Sequence, residues 1–279
     1  MSVAYFNGQF MPLEEVRVSP LDRGYLFGDG VYEVVPAYGG KLFRLDEHLD
    51  RLERSMAAIE LANPLSRAAW CELLQDIVAR NGLGEQSVYL QVTRGVAERN
   101  HAFPSATPPS VFIMSKPVAG SGAQAMRAIT RVDNRWERCD VKAIALLANC
   151  LHKQAAVKAG AGEAILLRDA QLTEGSSSNV FVISAGRVAT PPKSNLILAG
   201  ITRDVAIELM RDAQIPVAEC AVSETQLRAA DEVWVTSSTM EITPVVELDG
   251  VAVGGGVPGP LWHRVDELLQ GLKRSLTAA

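Results

Sequence analysis

The run Thr173-Glu174-Gly175-Ser176-Ser177-Ser178-Asn179-Val180-Phe181 sets a carboxylate and three hydroxyls around a glycine, directly before an apolar stretch. Glycine lets backbone come close to a ligand, and hydroxyls both donate and accept hydrogen bonds. A carboxylate can hold a proton on a heterocyclic nitrogen. The same residues also fit a polar turn leading into a strand. Two further features favour chemistry. Lys142 lies upstream, followed by the apolar Ala143-Ile144-Ala145-Leu146-Leu147. A poorly solvated amine is more readily neutral and nucleophilic. Gly200-Ile201-Thr202-Arg203-Asp204 lies downstream, ahead of a helix expected from about Arg203. Free N–H groups and the dipole at that end attract an anion. Thr202 is then either a phosphate ligand or a plain N-cap. An imine-forming lysine, an acid for a ring nitrogen and a phosphate loop together suit pyridoxal phosphate.

Other residues carry weaker signals. Arg51 sits between Leu49 and Leu52 on an amphipathic pattern, as a solvated cation or a phosphate partner. Ser237-Ser238-Thr239 is a second hydroxyl cluster at a strand end. Arg99 and His101, two apart in one loop, could clamp a carboxylate or simply face water. Lys153 and Lys158 have polar neighbours and read as surface lysines. Gly28-Asp29-Gly30 is no dinucleotide fingerprint, because Glu33 stands at the third glycine position. Gly175 to Asn179 misses the last glycine of a nucleophile elbow.

The elements that must position these groups follow from periodicity. Asn7-Gly8 between Tyr5-Phe6 and Phe10 predicts a hairpin. Leu45, Leu49, Leu52, Met56 and Ile59 predict a helix, and a second one runs from after Ser66 to near Gly82. Strands are expected over Val88–Thr93, Val111–Met114, Ala164–Leu167, Val180–Ile183, Val233–Val235 and Val245-Val246. Helices are expected over Ile144–Val157, Thr202–Ala213 and around Leu261–Leu272, and Ser223-x-x-Gln226 has the form of a capping box. Asp249-Gly250 marks another hairpin turn. Lys116 to Ala123 is rich in Pro, Gly and Ser and reads as a linker. The expected organisation is an N-terminal domain over 1–116, a linker over 117–123 and a C-terminal domain over 124–279. Strands and helices mix without strict alternation, so the expected class is α+β.

Composition excludes several functions. A net charge of -5 over 279 residues offers no footprint for nucleic acid or an anionic membrane. No apolar stretch approaches the roughly 20 residues of a membrane helix. Residues 1–8 show no basic segment followed by an apolar run, so no leader is expected. The four cysteines form no CxxC pair, so no metal site is expected and a reducing, cytoplasmic setting is.

The motifs Asp22-Arg23-Gly24-Tyr25-x-Phe27-Gly28-Asp29-Gly30-Val31-Tyr32-Glu33, Gln91-Val92-Thr93-Arg94-Gly95 and Arg99-x-His101-x-Phe103-Pro104 carry a resemblance. So do Arg135-Trp136-x-Arg138-Cys139-Asp140-x-Lys142, Thr173 to Phe181, Gly200 to Asp204 and Glu241-Ile242-Thr243-Pro244. In this order, over nearly the whole chain, they resemble the fold-type IV pyridoxal-phosphate enzymes, and most of all the bacterial D-amino-acid aminotransferases. The resemblance implies a homodimer of two-domain α+β subunits with the cofactor at the domain interface. It implies that Lys142 bonds the cofactor and shuttles the proton, and that Glu174 keeps the ring nitrogen protonated. Arg51, Ile201, Thr202 and Ser238 would surround the phosphate. Tyr32 would line the substrate side, and Arg99 and His101 would take the substrate carboxylate from the neighbouring subunit. D-Alanine and 2-oxoglutarate would give pyruvate and D-glutamate. The alternatives on the same fold are an L-branched-chain aminotransferase and an aminodeoxychorismate lyase. A binding protein that has lost its chemistry is the third.

Overall fold

The structure is a computed structural model that describes residues 2–82, 84–118 and 124–278. The chain divides into two compact units, each discontinuous in sequence. One comprises Met1–Gly120, Val141–Ala145 and Leu276–Ala279, and the other Ser121–Asp140 and Leu146–Ser275.

The first unit is an antiparallel sheet with the spatial order Gln9–Pro12, Val3–Phe6, Ser110–Pro117, Gln86–Thr93, Gly30–Tyr38, Lys41–Leu42. Its first hairpin turns at Asn7 and Gly8, with φ of 45° and 96°. Two positive φ values are what a two-residue turn needs to match strand twist. The helices Leu45–Ala58 and Arg67–Asn81 bury Leu49, Leu52, Met56, Trp70, Leu74 and Ile77 with Val31, Val35, Val88, Leu90 and Ile113 of the sheet. Ser66 caps the second helix by accepting from the Ala69 N–H at 3.2 Å.

The second unit is a mixed sheet, ordered Val217–Glu219, Arg187–Thr190, Asn179–Ser184, Glu232–Ser237, Glu241–Leu248, Met126–Val132, Glu163–Arg168, Gln171–Gly175. Val251–Ala252 pairs beside Glu241–Leu248 across the Asp249-Gly250 turn, where φ is 51° and 80°. Parallel pairings occur where Met126–Val132 lies between Glu241–Leu248 and Glu163–Arg168. The helices are Leu147–Lys158, Ile201–Asp212, Glu224–Arg228 and Pro260–Ala278. Ser223 and Gln226 form the expected capping box. The fold is α+β.

Three expectations change. The helix expected from Ile144 starts at Leu147 instead. Backbone bonds claim the preceding residues: Tyr32 N–H donates to the Lys142 carbonyl at 3.0 Å, and Ile144 N–H to the Gly30 carbonyl at 3.1 Å. For the same reason Val141–Ala145, expected in the C-terminal domain, packs with the first unit. The helix expected from Thr202 begins at Ile201 with Gly200 as its N-cap, so Thr202 is not a cap. Of the expected linker, residues 119–123 lie outside the described residues.

The Ser66 cap has a measurable weight. Ser66→Ala should lower stability by about 1 kcal/mol, read as a lower urea midpoint with an unchanged slope. An unchanged midpoint would show that the Ala69 N–H is satisfied equally well by water.

Candidate active site

Lys142 is half-buried on the segment that runs beside Gly30–Tyr38. Its own N–H donates to Ser55 Oγ at 3.2 Å. With Tyr32 N–H on its carbonyl, both backbone groups are engaged. Nζ stands 4.1 Å from the centroid of the Tyr32 ring. The Tyr32 ring stacks on Tyr89 at 5.8 Å. Burial pushes the Tyr89 hydroxyl up to about 12, so it stays protonated and donates to Gln91.

Arg51 is neither solvated nor alone. It is 4% exposed and pairs two-pronged with Glu33, Nε to Oε1 at 2.8 Å and Nη2 to Oε2 at 2.9 Å. His48, one turn earlier on the same helix, shares Glu33 Oε2 at 2.8 Å. Burial works against ionisation of Glu33, yet the charge and hydrogen bonds of Arg51, aided by His48, hold its carboxyl well below the usual range. Burial likewise holds the His48 imidazole below its ordinary value, against the pull of Glu33. A neutral His48 donates from Nδ1 to the carboxylate.

Arg99 and His101 are exposed on the loop after Gln86–Thr93. Both lean on Phe27: Arg99 Cζ lies 5.4 Å from that ring's centroid, and the His101 ring lies 5.4 Å away. The structure therefore brings the two side chains together.

In the second unit, Glu174 is buried at the end of Gln171–Gly175. Its Oε1 accepts from Arg135 Nη1, and its Oε2 from the Leu198 N–H at 3.0 Å and Asn179 Nδ2 at 3.3 Å. Arg135 also pairs two-pronged with Asp133, at 2.9 and 2.8 Å. Burial opposes ionisation of Asp133, but the Arg135 hydrogen bonds and charge outweigh it and hold the carboxyl at about 2. Burial dominates at Glu174 and pushes its carboxyl up to about 7, against Arg135. The two acids share one guanidinium, and Asp133 has the firmer claim.

The hydroxyls of Ser176, Ser177 and Ser178 all turn onto one buried carboxylate, Glu163. They shape the turn behind Glu174, and their hydrogen atoms go to Glu163. Gly175 is required there, since a Cβ would come within 2.2 Å of Ser178 Oγ. Ile201 and Thr202 occupy the first turn of Ile201–Asp212, whose N-cap Gly200 supplies no side-chain cap. A Cβ on Gly200 would come within 2.1 Å of Asn179 Oδ1. Ser238 is half-buried in the turn between Glu232–Ser237 and Glu241–Leu248. Lys153, expected at the surface, is half-buried and donates to the Gly162 carbonyl. Lys158 is exposed. Among the described residues no cluster of His, Cys, Asp and Glu could hold a metal ion, and no helix is long and apolar enough to cross a membrane.

Sequence reasoning missed Glu33, His48, Asp133, Arg135 and Glu163 as members of these clusters. The one available signal was spacing: His48 and Arg51, three apart on a helix, share a face.

The profile of the amino-transferase class IV family matches residues 30–248. A Bacillus licheniformis protein named D-alanine aminotransferase is 43% identical over 276 residues, 98% of each chain. The solved branched-chain amino acid aminotransferase of Escherichia coli superposes with a TM-score of 0.91 at 28% identity, over 97% of this chain and 94% of that one. A second solved branched-chain amino acid aminotransferase, from T.th. and complexed with N-(5'-phosphopyridoxyl)-L-glutamate, gives 0.90 at 28% identity, over 99% and 94%.

The raised Glu174 carboxyl predicts a pH effect on the ligand-free chain. Its folded value of about 7 lies above its ordinary 4.5, so the folded form binds the extra proton. The contribution is present below about pH 4.5 and is lost as pH rises through 7. The difference in denaturation midpoint between parent and Glu174→Gln should therefore shift against the parent from pH 5 to pH 8. A constant difference would mean that Glu174 is ionised throughout. His48 acts oppositely in the parent and the variant alike, so it cancels.

Proposed function

We propose that this chain, which belongs to the amino-transferase class IV family, is a pyridoxal-phosphate enzyme that transfers the amino group of D-amino acids to a 2-oxo acid. The observation that carries this is identity of 43%, over 98% of both chains, to a protein named D-alanine aminotransferase. The phosphopyridoxyl adduct in a structural neighbour supports the choice of cofactor.

The residues fit that cofactor. Glu174 carries three donors, and a carboxylate offers about four acceptor sites. One site is left for a ring N–H, and burial makes a positive partner welcome there. The uncapped first turn at Ile201 and Thr202 suits a phosphate. When bound, pyridoxal phosphate supplies an aldehyde that condenses with amines and a ring that withdraws electrons from the substrate α-carbon. Lys142 is the residue proposed to hold the cofactor through Nζ, and that amine, once the substrate's amino group has displaced it, would accept the substrate α-proton and return it. Tyr32 limits where Nζ can go, because the ring lies 4.1 Å from it. Glu174 holds the ring nitrogen's proton. Ile201, Thr202 and Ser238 hold the phosphate. Arg51 joins them only by dividing its guanidinium between Glu33 and the ligand.

Arg99 and His101 are proposed to bind the substrate carboxylate, in a homodimer where each loop serves the other subunit's substrate. A fixed carboxylate and a fixed base leave one enantiomer able to aim its α-hydrogen at Nζ. D-Alanine with 2-oxoglutarate, giving pyruvate and D-glutamate, is the proposed reaction. A cytoplasmic setting agrees with four cysteines that form no disulfide. The second reading, an L-branched-chain aminotransferase, has the structural neighbours in its favour.

A panel of paired D- and L-amino acids separates the two. D-Alanine should be the better substrate, and a preference for L-leucine or L-valine would overturn the proposal. Borohydride reduction and peptide mapping should place the cofactor on Lys142; a label on Lys153 or Lys158 would refute its role. Glu174→Gln should retain cofactor yet lose turnover by about 100-fold or more. Thr202→Ala and Arg51→Ala should each lose cofactor on dialysis that the parent keeps. Unchanged retention in both would return them to structural roles.

A further inference from the structure

The Arg99–His101 loop has no regular structure, and residues 98–103 are exposed. Two side chains that fix a carboxylate need a fixed backbone. The backbone is tied to one side chain. Arg23 is 2% exposed. Its Nη1 donates to the carbonyls of Asn100 and Ala102, and its Nη2 to that of His101 at 3.4 Å. Its Nε is occupied by Asp29 at 2.7 Å. Asp29 also holds Arg94 Nε at 2.8 Å, and Arg94 is anchored on the carbonyls of Ile59 and Glu60 at 2.6 and 2.8 Å. Arg94 Cζ lies 3.6 Å from the Phe103 ring, closing the end of the loop.

Arg23 opens the short helix Arg23–Phe27, and Phe27, one turn along it, supplies the other half. Its ring lies 4.8 Å from Arg23 Cζ, 5.4 Å from Arg99 Cζ and 5.4 Å from the His101 ring. Arg23 thus fixes the loop backbone and Phe27 fixes the two side chains. Among the described residues, no other ring of the first unit contacts both side chains.

We infer that Arg23 and Phe27 are positioning residues that set the preference between enantiomers, by holding Arg99 and His101 in one arrangement. The inference rests on the proposed carboxylate role of those two residues. Lysine at position 23 keeps the charge opposite Asp29 but has no planar fork to span three carbonyls. The freed carbonyls belong to the loop and not to the hydrophobic core of the unit. The core therefore survives and the loop loses its register. Leucine at position 27 keeps bulk but offers no π face to the cations.

The test compares holoenzymes of the parent, Arg23→Lys, Phe27→Leu and Arg99→Ala. KM and kcat are measured for D- and L-alanine, with the cofactor absorbance and the melting temperature. Arg23→Lys and Phe27→Leu should each raise KM for D-alanine about 10-fold or more and lower the D-to-L ratio of kcat/KM toward that of Arg99→Ala. The cofactor spectrum should stay that of the parent, since neither residue lies among the cofactor groups. If Arg99→Ala lowers the ratio while Arg23→Lys and Phe27→Leu keep it and only melt earlier, both residues are merely structural and the inference is overturned. If Arg99→Ala leaves the ratio unchanged, the carboxylate role itself fails and the inference falls with it. A parent that prefers L-amino acids would instead reject the D-specific reading, whatever the variants do.

Discussion

Arg135 carries two buried carboxylates at once, and the chemistry of the second unit depends on how it divides between them. Asp133 takes two of its N–H groups at 2.8 and 2.9 Å, and Thr173 adds a hydroxyl at 2.8 Å. Glu174 is left with a single guanidinium nitrogen. Arg168, 3.5 Å from Asp133 Oδ1, adds its charge on the side of Asp133, so Glu174 is the acid left short of positive charge. Out of water such a deficit is costly, and it appears as a Glu174 carboxyl raised to about 7 while Asp133 stays at about 2. A protonated ring nitrogen would make good the missing charge. Glu174 alone in a polar pocket would already be satisfied and would hold a pyridinium less firmly. Asp133 therefore contributes to the site without touching any proposed ligand.

The first unit solves the same problem to the opposite end. Glu33 faces Arg51 on both oxygens and His48 on one, so its negative charge is fully matched and its carboxyl is driven down. Such a carboxylate has no appetite for a further cation. It serves instead to stiffen the helix face that supplies Ser55 to the Lys142 backbone. The two buried glutamates differ because Glu33 has one guanidinium across both its oxygens, whereas Glu174 has a single guanidinium nitrogen.

Legibility in the sequence divided along the same physical line. Local rules sufficed for the Asn7-Gly8 and Asp249-Gly250 turns, the helix over Leu45–Ala58 and the Ser223 capping box, because each is settled by neighbours within about four residues. The helix expected from Thr202 starts one residue earlier because Gly200 caps it, where Asn179, 21 positions away, leaves no room for a side chain. The early helix start at Ile144 failed because the Gly30 and Tyr32 backbone competes for the same groups. The buried clusters were invisible for a stronger reason. Glu33 and Arg51 are separated by 18 positions and Arg135 and Glu174 by 39. Periodicity says which face a residue lies on, and says nothing of which charge it meets there. The triple serine was the instructive case: its hydroxyls suggested ligand contacts, but a buried Glu163 thirteen to fifteen positions away takes all three.

Glu174 and the first turn of Ile201–Asp212 are also tied to each other through Asn179. Its Nδ2 donates to Glu174 Oε2 and, at 2.8 Å, to the Leu198 carbonyl, while the Leu198 N–H returns to Glu174 at 3.0 Å. Gly200, two residues on, lies so close to Asn179 Oδ1 that no side chain fits, and it caps the helix whose first turn offers free N–H groups. The distance from the carboxylate to the helix end is therefore fixed by one amide and one missing side chain. That matters for a ligand with a basic ring nitrogen at one end and a phosphate at the other, since both ends must be met by one rigid molecule. A longer side chain at position 200 would push that turn from the acid while leaving each group chemically intact. Spacing, more than the identity of either group, is what the local fold around Asn179 preserves.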